Sequence, residues 1–375
     1  MKKKSILQGI YVVGIIGCLT IAGIYIFVGK TKYFSEQENR YLTTLPEISW
    51  KGITDGSVQE QLDKFASDQF PFRNQWMELS TALEKGIGNR CINGVYLGKD
   101  GYYLEQVLNS DISQTRYENN LTMLQQFLSK GKGKKAVMLV PSRGCILMDK
   151  LPNGAVMYED ATLYEKGYSM LQHSWIDLRA DMQQAAKEKQ VYFRTDHHWT
   201  LQGAYTAYTV LEKQWEGKTT PYESFSPTEV SKDFLGTMYA KVLEKNPKKD
   251  CLEVPKALPQ NLKVTCDGET RQSIYEEEKL QGNDKYAVYF GGNYGIVEME
   301  NPQAKAGTLL VIKDSFANSF VPLLTENYKK IVMLDLRYYN LSVQKVLEEN
   351  AGADILVLYE MSNFAKEGNL HKLLD

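Results

Sequence analysis

Hydrophobic positions fall along this chain in three distinct patterns, each predicting a different kind of element. Ser5 to Val28 carries no charge at all, bounded by Lys2-Lys3-Lys4 before it and Lys30 after it. About 20 apolar residues suffice for a helix to cross a bilayer, so this run predicts a transmembrane helix. Residues 56–88 repeat their apolar positions at helical spacing and include Phe65, Phe70, Phe72 and Trp76. Gly94 to Leu104 instead alternates around an Asp100-Gly101 pair, the signature of a β-hairpin.

Beyond residue 110 short apolar runs alternate with helical stretches. Helices are expected over 117–130, within 158–189, over Thr200 to Trp215 with Thr200 as N-cap, and over Ser342 to Asn350. Phe316 to Tyr328 predicts a helix broken near Pro322. The runs Lys134 to Val140, Val191 to Phe193, Tyr286 to Phe290, Thr308 to Lys313, Lys330 to Leu334 and Ile355 to Tyr359 read as strands. Strand and helix in alternation argue for an α/β fold, with a parallel sheet, right-handed crossovers and helices on both faces. Residues 216–284, rich in Pro, Lys and Glu, read as an insertion. The expected organisation is an anchor over 1–28, a stalk or helical segment over 29–89, and a catalytic domain over 90–375.

The anchor has two rivals. A cleaved signal peptide would have a shorter apolar core and a small-residue cleavage site, and no Ala-x-Ala precedes Lys30. Ile15-Ile16-Gly17-Cys18 resembles a lipoprotein box, but ten uncharged residues follow it. The lysines before the run favour a cytoplasmic N-terminus, which puts the body outside a cell membrane. Composition adds one exclusion: a net charge of -2 offers no basic excess for nucleic acid. Five cysteines without a Cys-x-x-Cys pair argue against structural zinc, while an oxidising exterior would permit a Cys251–Cys266 bridge.

Three segments carry candidate chemistry, each just after an expected strand, where open α/β sheets form their sites. They are Thr195-Asp196-His197-His198-Trp199, Gly291-Gly292-Asn293 and Lys313-Asp314-Ser315-Phe316. Ser315 at a strand-to-helix turn is either a nucleophile or an ordinary helix N-cap. With only four histidines in the chain, two adjacent ones stand out. In an extended backbone Asp196 and His198 share a face while His197 points away. That makes His198 the expected base, Asp196 its orienting carboxylate and His197 a structural residue. A metal site of Asp196, His197 and His198 is the rival use; no metal and no cofactor are expected. Asn293 is either an oxyanion donor or part of a plain turn, and the Ser315 and Phe316 N–H groups are further oxyanion candidates. Tyrosines and tryptophans, Trp199 first, are expected to line a sugar cleft.

Thr195-Asp196-His197-His198-Trp199-Thr200, followed by Gly203-Ala204-Tyr205, resembles the signature of the DHHW proteins, which are similar to alginate O-acetyltransferases of the AlgJ/AlgX type. Gly94 to Leu104 resembles their entry hairpin, Val140-Pro141-Ser142-Arg143 their Val-Pro-x-Lys segment, and Lys313 to Phe316 their serine block. The resemblance implies an SGNH-hydrolase-like fold in circularly permuted order, with Asp196 and His198 ahead of Ser315. It implies acetyl transfer through an acyl-serine onto an exopolysaccharide or cell-wall polysaccharide, with Arg143 at the substrate. It also implies a multi-span membrane O-acyltransferase as the partner that supplies the acyl group. An esterase with the same triad, or a non-catalytic polysaccharide-binding scaffold, remain as alternatives.

Overall fold

The computed structural model describes residues 2–35, 40–215 and 217–375. They form two compact units. The first comprises residues up to Asn89 together with Val242–Lys245. It contains α1 (Lys2–Val28), α2 (Ser57–Asp68) and α3 (Arg73–Gly86). Within α1, the 20 residues Gly9–Val28 are long and apolar enough to cross a membrane, about 30 Å at 1.5 Å per residue. Among the described residues it is the one helix that passes this test. Arg40 closes on the buried Asp68 and, although burial alone would raise it, holds that carboxyl down at about 2.

The second unit, Arg90–Lys241 and Asn246–Asp375, carries the sheet. It opens with a hairpin of β1 (Val95–Leu97) and β2 (Tyr103–Glu105). Then follow α4 (Gln114–Lys130), β3 (Lys135–Val140), α5 (Asp160–Leu171), β4 (Trp175–Ile176), α6 (Arg179–Ala186) and α7 (Leu201–Gln214). The Thr200 hydroxyl accepts from the Gly203 N–H and so caps α7. The insertion folds as a hairpin of β5 (Pro227–Phe234) and β6 (Asp250–Pro255) around α8 (Thr237–Val242), then β7 (Lys263–Cys266) and β8 (Glu269–Arg271). The chain ends with β9 (Ile296–Glu300), β10 (Ala306–Lys313), α9 (Ala317–Phe320), β11 (Tyr328–Leu334), α10 (Val343–Glu349), β12 (Asp354–Glu360) and α11 (Met361–Lys366).

The main sheet runs β8-β7-β9-β11-β10-β12-β3-β4. Its five strands from β11 to β4 are parallel, as expected, whereas β9, β7 and β8 extend it antiparallel. Strands buried on both faces need apolar side chains throughout, which is why the β3, β10 and β12 sequences are nearly continuous runs rather than alternations. Successive residues still enter opposite cores. Met138, Val311 and Leu356 pack on one side and Val137, Ile312 and Val357 on the other.

Two expected strands differ, while the expected helix break near Pro322 is present. Val191 to Phe193 is no strand of the sheet; Tyr192 makes a single antiparallel bridge with Trp199. Tyr286 to Phe290 lies at a 3₁₀ turn, Lys285–Val288, and not in a strand. After Phe320 the helix continues only as a 3₁₀ turn, Val321–Leu324, because Pro322 has no N–H to give it. The Cys251–Cys266 bridge is also absent. Cys251 lies on the exposed side of β6 with its thiol on Glu229, while Cys266 faces the core from β7, and both are free.

Candidate active site

Strands β10, β12 and β3 lie side by side and parallel, so the turns that follow them meet at one edge. β10 delivers Asp314, Ser315 and Phe316; β12 delivers Glu360, Ser362 and Asn363; β3 delivers Ser142, Arg143 and Gly144. Phe316 and the β12 and β3 residues line a small cleft, which Glu105 and His197 also line. Asp314 fastens these turns together. It accepts from the Phe316 N–H (2.9 Å) on one oxygen, and from the Glu360 N–H and the Asn363 side-chain amide on the other (both 2.9 Å).

The aspartate-histidine segment reaches this edge without a strand. Residues 194–198 form a tight bend between the bridged Tyr192 and Trp199. Side chains hold the bend in place. The buried Arg143 guanidinium donates to the carbonyls of Phe193 (2.9 Å), Asp196 and Tyr103. Asp250 accepts from both the N–H and the hydroxyl of Thr195, each at 2.8 Å. Trp199, fully buried, donates its indole N–H to the Phe316 carbonyl (3.1 Å) and the Ser319 hydroxyl (2.9 Å), tying the bend to the turn that carries Ser315.

Within this frame the structure brings Asp196, His198 and Ser315 together. Ser315 Oγ lies 2.7 Å from His198 Nε2, and His198 Nδ1 lies 2.6 Å from Asp196 Oδ1. A carboxylate can only accept, so Nδ1 carries the proton and Nε2 is left to accept from the serine hydroxyl. His198 is clamped on both ring faces, by Tyr286 at 3.8 Å and nearly parallel (9°), and by His197 at 3.8 Å. Asp196 is itself enclosed: Oδ2 accepts from the Thr237 N–H (2.9 Å) and hydroxyl (3.1 Å). Burial alone would raise this carboxyl, but the two histidines and the Thr237 N–H hold it well below its ordinary range. Gly236 is required here, since a Cβ would come within 2.2 Å of Asp196 Cβ. Such an arrangement can move a proton from a serine hydroxyl to an imidazole and stabilise the imidazolium that results.

Residues 79–334 match the DHHW protein family. The chain belongs to the DHHW family. A probable alginate O-acetylase AlgJ of Pseudomonas syringae pv. tomato is 26% identical over 197 residues, half of each chain. Its counterpart in Pseudomonas fluorescens is 28% identical over 176 residues, 44% of this chain and 45% of that one. This DHHW chain thus spans about half the length of the curated relatives it matches. Among solved structures, a DHHW family protein from Eubacterium siraeum superposes with a TM-score of 0.63 at 22% identity, covering 75% of this chain and 95% of that one. Bacillus cereus PatB1 bearing a sulfonyl adduct superposes with a TM-score of 0.59 at 24% identity, covering 74% and 97%. At these identities the two structures speak for a shared fold.

Several expected site residues of this DHHW protein sit differently from the sequence reading. His197 does not face away: the bend places it beside His198, with Nδ1 2.6 Å from the Thr237 hydroxyl, on the cleft wall. Trp199 cannot line a sugar cleft, because it is fully buried behind the serine turn. Arg143 has its guanidinium on backbone carbonyls, so it positions the bend. The Phe316 N–H already donates to Asp314, whereas the Ser315 N–H has no acceptor among the described residues. Asn293 sits in a turn through Gly291 and Gly292, both at positive φ, and accepts from the Asn318 amide behind the serine. Asp196, His197 and His198 also offer three ligand atoms within 4.8 Å of one another. A cation there would displace the bonds to Ser315 and Thr237 that already occupy these donors. Tyr286, Thr237 and Gly236 were not expected at all. No local motif marks them; a glycine followed by a hydroxyl residue in the insertion was the only available signal.

Proposed function

We propose that this protein is an extracytoplasmic serine O-acetyltransferase acting on a polysaccharide, with Ser315 as nucleophile, His198 as general base and acid, and Asp196 as its orienting carboxylate. The observation that carries the reading is the continuous hydrogen-bonded line from Ser315 through His198 to Asp196 in a DHHW chain, next to a cleft lined by the neighbouring Phe316 and His197. Relatives named as probable alginate O-acetylases support acetyl transfer. Residues 1–28 anchor the protein, 29–89 form a stalk, and 90–375 form the catalytic domain. A multi-span membrane O-acyltransferase supplies the acetyl group.

In the first step the Ser315 oxygen bonds to the donor carbonyl carbon while its proton passes to His198 Nε2. The donor's ester or thioester bond then breaks, and His198 returns the proton to the leaving group. The Ser315 N–H faces the oxyanion formed in between. In the second step His198 takes the proton of a sugar hydroxyl as that oxygen bonds to the acetyl carbon, and Ser315 is released with its proton restored.

The test is incubation with a chromogenic acetyl ester, with and without an oligosaccharide, followed by mass spectrometry of protein and sugar. An acetylated Ser315 peptide and an acetylated sugar are expected. Acetate release that persists in S315A, or release to water with no sugar product under any acceptor, overturns the reading.

A further inference from the structure

The second histidine of the motif has hydrogen bonds that fix its tautomer. Thr237 has one hydroxyl proton. Its oxygen lies 3.1 Å from Asp196 Oδ2, and a carboxylate oxygen only accepts, so the proton is given to Asp196. The same hydroxyl oxygen, 2.6 Å from His197 Nδ1, must then accept, which places the His197 proton on Nδ1. Nε2 is left with a bare lone pair. It has no partner among the described residues, its ring lines the cleft, and the side chain is 31% exposed. Burial and the neighbouring His198 hold the His197 pKa down at about 4 against the pull of Asp196, so this ring is neutral at pH 7.

The rest of the cleft wall has matching chemistry. Its one arginine, Arg143, donates to three backbone carbonyls. Lys241, which stands beside it, is held by Glu105 at 2.7 Å. No lining residue offers an unengaged cation to a sugar carboxylate, whereas the part-exposed Glu105 and His197 Nε2 offer acceptors.

We propose that His197 Nε2 accepts a hydrogen bond from a hydroxyl of the incoming sugar, and that the cleft is built for an uncharged, hydroxyl-rich glycan in preference to a polyuronate. His197 would thereby hold the acceptor over the acyl-serine, favouring sugar over water, while His198 moves the protons. The inference rests on the acyl-serine reading above.

Two substitutions separate the ring's two nitrogens. His197→Asn places an amide where Nδ1 was and removes Nε2; His197→Gln reaches the Nε2 position and gives up the Thr237 contact. The probes are a chromogenic acetyl ester as donor, and a neutral tetrasaccharide or a tetra-uronate as acceptor. A lost hydrogen bond of ordinary strength corresponds to roughly tenfold. In H197N the ratio of transfer to hydrolysis on the neutral acceptor is expected to fall about tenfold, over and above any loss of acylation from the missing ring contact with His198, which cancels in the ratio. H197Q should recover part of the ratio, and wild-type protein should prefer the neutral acceptor. Nitrogen-15 correlation spectra of the wild type should report a protonated Nδ1 and a bare Nε2 at His197. Equal losses of acylation and transfer in H197N, an unchanged ratio, a protonated Nε2, or preference for the uronate would each overturn the proposal. If the wild type forms no acetyl-Ser315, the acyl-serine reading fails and this proposal with it.

Discussion

Arg143 is the residue whose two assignments, substrate ligand or internal brace, diverge most sharply under mutation. Its side chain is buried, and its guanidinium serves three backbone carbonyls from two segments, Tyr103 in the hairpin and Phe193 and Asp196 in the bend. Arg143→Met keeps much of the volume and removes every donor. Each buried carbonyl left without a partner costs about 1–3 kcal/mol, a gross loss of roughly 6 kcal/mol for three. Removing a buried charge relieves a desolvation penalty of several kcal/mol. The net destabilisation is therefore about 3 kcal/mol, a large share of the roughly 5–15 kcal/mol that hold a domain folded. Urea titration followed by tryptophan fluorescence measures it directly, because a stability change at constant slope appears as a lower midpoint. Arg143→Lys should recover only part of the loss, since one ammonium does not reproduce the planar fork. A stability within about 0.5 kcal/mol of wild type, together with a raised KM for acceptor, would refute the brace and restore the substrate role.

Replacing Ser315 or His198 by alanine is expected to lower acyl transfer on the order of 10³-fold or more, and the double variant should be little worse than either, since the two act as a unit; additive losses measured in the double-mutant cycle would contradict this. Trp199→Phe removes the donor shared by Phe316 and Ser319 and should destabilise by about 1–2 kcal/mol, read in the same urea titration, with no added effect on acceptor KM. The pH dependence follows from His197. Its folded pKa, about 4, lies below the ordinary value of 6.5, so the unfolded chain binds more protons in between and stability falls as pH drops through that window. Asp196 contributes only at the acid end of that window and below it, where the unfolded carboxyl begins to bind protons while the folded one stays ionised. In H197Q the loss between pH 6.5 and 4 should shrink relative to wild type; an identical loss in both proteins would show that His197 does not cause it.

The parallel centre of the fold was legible because strands buried on both sides leave a strong mark: continuous apolar runs inside Lys135–Val140, Ala306–Lys313 and Asp354–Glu360. The antiparallel extension was not, since β7 and β8 lie in the least periodic stretch of the chain. Val191 to Phe193 misled for a definite reason. Its three apolar residues are buried, but they pack beneath a bend and never enter the ladder. The pairing of His198 with Asp196 was reached through an extended-backbone alternation that the bend does not have. The pairing holds because Asp196 Oδ1 also caps the His198 N–H at 3.0 Å, which fixes the spacing of two by a local turn. That same bend is why His197 lies beside its neighbour. The contributions of Tyr286 and Thr237 are tertiary facts, since their segments approach the histidines only once the insertion has folded over them.

The order in which the chain is made bears on when this site exists. Ser315 follows His198 by 117 residues, and β10 sits between β11 and β12, both of which are synthesised after it. A growing chain holds its imidazoles and carboxylate early, yet it lacks both the hydroxyl and the central strands that would position it. Pairing between such distant segments is slow to form, because chain closure must come before any contact can repay it. The Ser315–His198–Asp196 arrangement therefore has its full support only at the end of synthesis, and a chain that stops short of Glu360 lacks the N–H that braces Asp314 beside the serine.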